Sequence, residues 1–405
     1  MEALSIALLT GTVMSDPHLP QETIDDVIDL LHNKPEALKA CCLVSKSWVP
    51  RTRKHLFAEI EFISVERIES WKRTFPEPST SPAYHTHTLF VRCTYAAMAQ
   101  VDSLTQTFPR VVWLKLRFKK SDNPSLAPFH KFSPTLKSLS ADFSSLPCVQ
   151  VFDLVRSFPL LEDLALTGRS LSSGDGDSHG SQTAVPSNSP ALTGSLDFHI
   201  FGRMGDAMLR LLDLPNGLHF RKVAFAWTRE GGLRGIAELV VRCSDTLECL
   251  DVWCNLPGMF VSALRWGCSL FSFVANAGPT PIDLSKATKL RDAVFRLASP
   301  TITWIIMALQ TITSKHRDFQ QISIHFPHNY TLIDIPDPGT NIFTGATYRQ
   351  WSDLDRLLVQ FWESRSIRPK VIRSTPSKEN SAMGECIEYL LPEITRRGIL
   401  DLVDD

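Results

Sequence analysis

No apolar stretch in this sequence reaches the roughly 18 residues that a membrane-crossing helix needs, because charges or prolines interrupt every one. A run at Leu4–Leu9 comes close to the start, but Glu2 precedes it and no Lys or Arg does. It therefore lacks the positive flank of a secretory signal, and residues 1–18 read as a frayed leader. Net charge is also missing: 42 Lys and Arg oppose 43 Asp and Glu, so no global field would draw the chain to nucleic acid or to an anionic membrane. Nine cysteines include no C-x-x-C pair. An odd set of this kind, with Cys41 and Cys42 adjacent, reads as reduced and mostly buried thiols in the cytoplasm or nucleus.

The sequence equally lacks the short patterns that carry chemistry. It contains no G-x-x-x-x-G-K-[ST] phosphate loop, no G-x-S-x-G nucleophile turn and no H-E-x-x-H zinc helix. Asp175-Gly176-Asp177 has neither the further ligands nor the closing glutamate of a calcium loop. His85-x-His87 and His325-x-x-His328 each offer two nitrogens without a cysteine or carboxylate at a matching spacing, so exposed strand-edge histidines are expected there. A thiol nucleophile at Cys41 would need an activating base that sequence does not place. The expectation is a non-enzyme with no catalytic residue, no cofactor and no metal.

What is present is a soluble globular composition, 43% hydrophobic and 21% charged over 405 residues, enough for two or three domains. The first strongly patterned segment opens at Leu19-Pro20, where proline suits a first helical turn. Ile24, Val27, Ile28 and Leu31 then recur at three- and four-residue spacing, with Asp25, Asp26 and Asp29 on the other side. Asn33 and Pro35 interrupt this helix, Glu36 to Leu43 restarts one, and Ser45 is placed to cap a third that carries Trp48, Leu56 and Phe57. Three short helices in about 40 residues cannot bury all these apolar faces among themselves.

The ordered set LPQETIDDVIDLL, Leu38, CCLVSKSW and HLF resembles an F-box, and is especially similar to the F-box-like segments of large fungal protein families. The resemblance covers about a tenth of the chain. It implies that the hairpin docks on a Skp-type adaptor and through it on a cullin. It also implies that Leu19, Pro20, Ile24, Ile28, Leu31, Leu38, Leu43, Val44 and Trp48 hold either that interface or the hairpin's own core.

Beyond the hairpin an apolar-x-x-apolar-x-apolar unit recurs. It reads Val111/Leu114/Leu116, Leu136/Leu139/Ala141 and Leu161/Leu164/Leu166, with central positions 25 residues apart. Weaker copies are Thr86/Leu89/Val91, Phe220/Val223/Phe225, Leu247/Leu250/Val252, Leu270/Phe273/Ala275 and Phe319/Ile322/Ile324. Alternate residues of a short strand share one face, and units that cannot close their own core must stack. The spacing resembles irregular leucine-rich repeats, although the asparagine that usually follows the strand is mostly missing. A conventional α/β domain with strands every 25 residues is the rival.

The expected fold is thus α/β: a three-helix F-box-like hairpin at 19–60, a helical linker at 61–84, and an irregular leucine-rich-repeat solenoid with a curved parallel sheet at 85–326. A Ser/Gly-rich insertion at 169–194 is expected to be disordered, and 327–405 to cap the array, with a helix at Trp351–Ser364, a last strand at Lys370–Arg373 and a closing helix at Ala382–Leu391. Trp113, Trp227 and Trp253 lie within or beside predicted strands and point either outward to a partner or inward to the core, with core positions expected. The function that the resemblance implies is a substrate receptor of an SCF-type ubiquitin ligase, with an unknown protein target on the repeat surface. The alternative is a stand-alone leucine-rich-repeat scaffold. Neither reading involves nucleic acid or membrane.

Overall fold

The computed structural model describes residues 19–77, 81–93, 100, 103–118, 126–132, 135–142, 146, 148–170, 191–202, 205–214, 216–227, 232–254, 282–297, 302–326, 345–373 and 387–404. They form an α/β structure around one parallel sheet. Its twelve strands are β1 Glu59–Phe62, β2 Thr88–Cys93, β3 Trp113–Phe118, β4 Ser138–Asp142, β5 Asp163–Ser170, β6 Ser195–Gly202, β7 Lys222–Trp227, β8 Cys249–Cys254, β9 Asp292–Arg296, β10 Gln321–Phe326, β11 Pro369–Arg373 and β12 Asp401–Asp404. Their spatial order is their order in the chain. A doubly wound sheet reverses strand order at a switch point; this one never does, and the rival α/β topology is thereby disfavoured.

Before the sheet stand α1 Gln21–Leu30, α2 Pro35–Val44 and α3 Val49–Leu56. Between strands lie α4 Val65–Thr74, α5 Cys148–Arg156, α6 Gly205–Leu212, α7 Gly232–Cys243, α8 Thr303–Gln310, α9 Gly345–Arg365 and α10 Pro392–Arg396. The α7 pattern explains its place. Ile236, Leu239, Val240 and Cys243 are buried on one side, and Glu238 pairs with Arg242 on the other at 3.0 Å.

Period-two alternation divides each strand. In β3, Leu114, Leu116 and Phe118 are buried while Trp113 and Arg117 are exposed. Register then stacks equivalent residues: Ile60, Leu89, Leu114, Leu139, Leu164, Leu196, Val223, Leu250, Ala293 and Ile322 form one continuous row. All ten are buried in a single hydrophobic core.

Register is held at the strand entrances. The Ala58 carbonyl accepts the N–H groups of both His87 and Thr88, at 2.9 and 3.0 Å. The His87 carbonyl takes Val112 and Trp113, Val112 takes Lys137 and Ser138, and Lys137 takes Glu162 and Asp163. The pattern resumes from Gly194 through Arg221, Glu248 and Arg291. It differs at β6, where Gly194 N–H goes to the Glu162 carbonyl at 3.0 Å and Ser195 N–H to the Asp163 carboxylate at 2.6 Å. A methyl group on Gly194 would run into that carboxylate. Threonine hydroxyls at equivalent places add further ties, Thr86 to the Phe57 carbonyl at 2.8 Å, Thr135 to Val111 at 3.0 Å and Thr246 to Phe220 at 3.1 Å.

Several expectations need correction. The linker at 61–84 contains the end of β1 and all of α4, so it belongs to the first turn of the array. The sheet also continues past 326 into β11 and β12, and Lys370–Arg373 is not its last strand. Within 169–194, positions 169–170 belong to β5 and Leu192 is fully buried; 171–190 lie outside the described residues. So does Leu270–Ala275, and β8 pairs directly with β9. In the C-terminal part, the expected helix at 351–364 lies within α9; of the one expected at 382–391, 387–390 are helical and 382–386 lie outside the described residues. Of the expected core tryptophans, Trp113 is 45% exposed and Trp253 half-buried on the face away from the core, and the Trp227 side chain lies outside the described part.

The one-sided core makes a sharp comparison within β4. Leu139→Ala should cost roughly 2 to 5 kcal/mol, whereas Ser140→Ala beside it should stay within about 0.5 kcal/mol. Urea unfolding of the two variants checks this.

Candidate partner-binding surfaces

In the N-terminal unit α3 packs against both α1 and α2. Pro20 is the cap residue of α1, and its carbonyl accepts Ile24 N–H at 3.2 Å. The chain turns at 31–34, where Lys34 N–H reaches the Leu31 carbonyl at 2.7 Å, and Pro35 occupies the first position of α2. Ser45 does not cap α3: it is the extended residue that ends α2, and its carbonyl accepts Trp48 N–H at 3.1 Å as the chain turns into α3. Trp48 is the residue before α3, and its carbonyl accepts both the N–H and the hydroxyl of the buried Thr52.

A charged triad joins the first and third helices. Asp29 of α1 accepts Nε of Arg51 at 2.6 Å and a second Arg51 nitrogen, and contacts Nε2 of His55 at 2.7 Å. Arg51 foremost, then His55, holds the Asp29 carboxyl well below the usual carboxylate range.

The nine residues that the resemblance singles out divide by burial. Ile28 and Leu38 are interior. Ile24, Leu31 and Trp48 are half-buried, while Leu19, Pro20, Leu43 and Val44 are exposed, Leu43 by 88%. Two further exposed residues, Val27 and the 79% exposed Leu30, belong with the latter group. Leu30 lies three residues after Val27, so helical spacing was the signal that could have found it. Thus five large apolar side chains stand in solvent within residues 19–44. Isolated exposed leucines are ordinary, but five exposed large apolar side chains within 26 residues make this segment a candidate for interaction.

A second surface is the sheet face away from the core. Its middle carries Asp197 and His199 of β6, which meet at 2.7 Å, and Asp251 of β8, whose carboxylate takes Arg296 of β9 through bonds of 2.8 to 3.1 Å. Ala226 lies in register between His199 and Trp253. Alternate strands are roughly 10 Å apart, yet the two rings approach to 6.0 Å, so they lean over Ala226 and bury it.

Burial pushes Cys243 up to about 11, and burial aided by Asp292 and Asp251 does the same to Cys249, so both stay protonated near neutral pH. Cys41, expected to be buried, is half-buried. His85 is half-buried and His87 exposed, and His328 lies outside the described residues. Among the described residues no group of three or more His, Cys, Asp or Glu is arranged to hold a metal ion, and no helix is long and apolar enough to cross a membrane.

No protein-family model matches the chain, and no curated protein matches it.

The Asp29 triad predicts a pH effect with a definite sign. A carboxyl depressed in the folded state contributes stability that is fully present above its ordinary value of 3.8 and is lost as pH falls below it. The melting midpoint of the wild type should therefore drop below about pH 4 more steeply than that of Asp29→Asn. Parallel profiles would exclude the triad as a determinant.

Proposed function

We propose that this chain is a substrate-receptor subunit of an SCF-type cullin ubiquitin ligase. The three-helix unit would hold a Skp-type adaptor, and the open face of the repeat sheet, read as an irregular leucine-rich-repeat solenoid, would hold a protein target. The observation that supports the first half most directly is the exposure of Leu19, Val27, Leu30, Leu43 and Val44 on a unit whose sequence resembles an F-box. Burying five such side chains is worth roughly 7 to 15 kcal/mol gross, comparable to an association cost of roughly 4 to 15 kcal/mol. Losing two of them therefore decides whether a complex forms.

The unit is joined to the sheet in a way that suits a spacer of fixed geometry. Only Phe57 and Ala58 separate α3 from β1, and the carbonyls of both are engaged by the next turn of the array. A partner on the helices and a target on the sheet would then be held at a set separation. Catalysis in this role is proximity: raising the effective concentration of a target lysine near a ubiquitin-loaded enzyme requires no bond chemistry from this chain.

Leu43→Asp combined with Val44→Asp is the sharp test, because both side chains are exposed in the free protein. The double variant should keep the wild-type melting midpoint and lose adaptor binding by about 100-fold or more. Retention of a purified Skp-type adaptor on immobilised protein measures this. If the wild type retains none, the ligase reading fails and the scaffold reading stands.

A further inference from the structure

The sheet face away from the core is divided by charge. On β2 and β3 it presents Arg92, Lys115 and Arg117, with Arg92 and Arg117 side by side in register. Like charges directly opposite one another are destabilising. Two of the three basic residues have a carboxylate at the outer limit of ion-pair distance: Glu59 is 3.9 Å from Lys115, and Asp142 is 4.0 Å from Arg117. The Asp251–Arg296 pair on the same face is closer, at 2.8 Å. The hydroxyls of Ser138 and Ser140 stand in register beside Trp113 and Lys115. Trp113, 45% exposed, adds an apolar surface, and the Lys115 ammonium lies 4.8 Å from its ring centre.

Both flanks of this patch carry the opposite sign. Glu59 and Glu61 precede it on β1, and Asp142, Asp163, Asp197, Asp251 and Asp292 follow on β4 to β9, where Lys222 and Arg296 are the Lys and Arg residues among the described side chains of this face. We infer that the β2–β3 patch docks a short acidic cluster of a target polypeptide, carrying its charge as Asp and Glu side chains and placing an apolar residue against Trp113. The width decides the class of partner. Two adjacent strands span about 10 Å, or about three residues of extended chain. A nucleic acid carries phosphate continuously and would meet carboxylates within about one strand spacing on either side. A peptide can place a few negative charges over the arginines and leave its flanks neutral or basic. Complementarity of this kind sets specificity and association rate, and it weakens with salt.

This inference deepens the target-binding half of the proposed function and does not depend on the adaptor. The test uses the full chain and a fluorescein-labelled nine-residue peptide with three central glutamates beside a leucine, read by anisotropy. The glutamate peptide should bind, and its affinity should fall as NaCl rises from about 50 to about 500 mM. The glutamine analogue should bind at least about tenfold more weakly. Arg92→Glu with Arg117→Glu should lose the glutamate peptide by at least about tenfold and gain its lysine counterpart, with the melting midpoint and adaptor retention unchanged. Equal affinity for the glutamine peptide, full retention by the double variant, or no binding at all would overturn the inference. Tighter binding of a nine-nucleotide single-stranded RNA, or a strong preference for a phosphoserine peptide, would overturn the commitment to carboxylates. Adaptor loss with peptide binding intact would sink only the ligase reading.

Discussion

The structure depends on one repeated interaction, a strand-entry carbonyl that accepts two consecutive N–H groups from the following turn. Because the residue whose carbonyl accepts also donates its own N–H to the preceding turn, as at His87, Val112 and Lys137, register passes from β1 through β5. A slip of one residue would invert every side chain between core and solvent. The alignment of Leu89, Leu114, Leu139 and Leu164 in one buried row is thus the packing counterpart of the carbonyl ladder. Where the chain makes its long excursion before β6, the ladder survives by substitution: Asp163 supplies the acceptor that a backbone carbonyl supplies elsewhere.

That ladder also fixes what lies at the first strand. Phe57, Phe62, Trp71, Phe75 and Phe108 form an aromatic cluster there, with edge-on contacts such as Phe62 to Trp71 at 6.1 Å. It covers apolar surface that a stacked repeat would otherwise cover. Since this cluster includes the first residue after α3, the three-helix unit continues directly into the array. Its interior is served by Ile28 and Leu38, and the Asp29 triad ties α1 to α3. Val27, Leu30, Leu43 and Val44 are left with no interior role, which is why they are the residues assigned to a partner.

How much of this was legible in the sequence follows from the residue types at core positions. The turns around β3, β4 and β5 stood out because leucines recur 25 residues apart with little drift. β6 was missed because a polar insertion shifts its core pair, Leu196 and Phe198, out of step, and β9 because alanine occupies the place of leucine at 293. The outward direction of Trp113 and Trp253 was available: each follows or precedes a core residue by one position, and alternation sends it to the other face. The Asp251–Arg296 pair was not available, since 45 residues separate its members and only strand register brings them together. For the hairpin the motif named candidates without dividing them between interior and surface. That division required the packing of α3 against both its neighbours.

The central claim, that the exposed apolar residues of the three-helix unit are an adaptor-binding surface, is tested most directly by amide hydrogen exchange of the full chain with and without a purified Skp-type adaptor. The account predicts slowed exchange confined to residues 19–56, strongest around Val27 to Leu30 and Leu43 to Val44, with the strands from β3 onward unchanged. Protection absent from those helices, or appearing on the sheet instead, would contradict it.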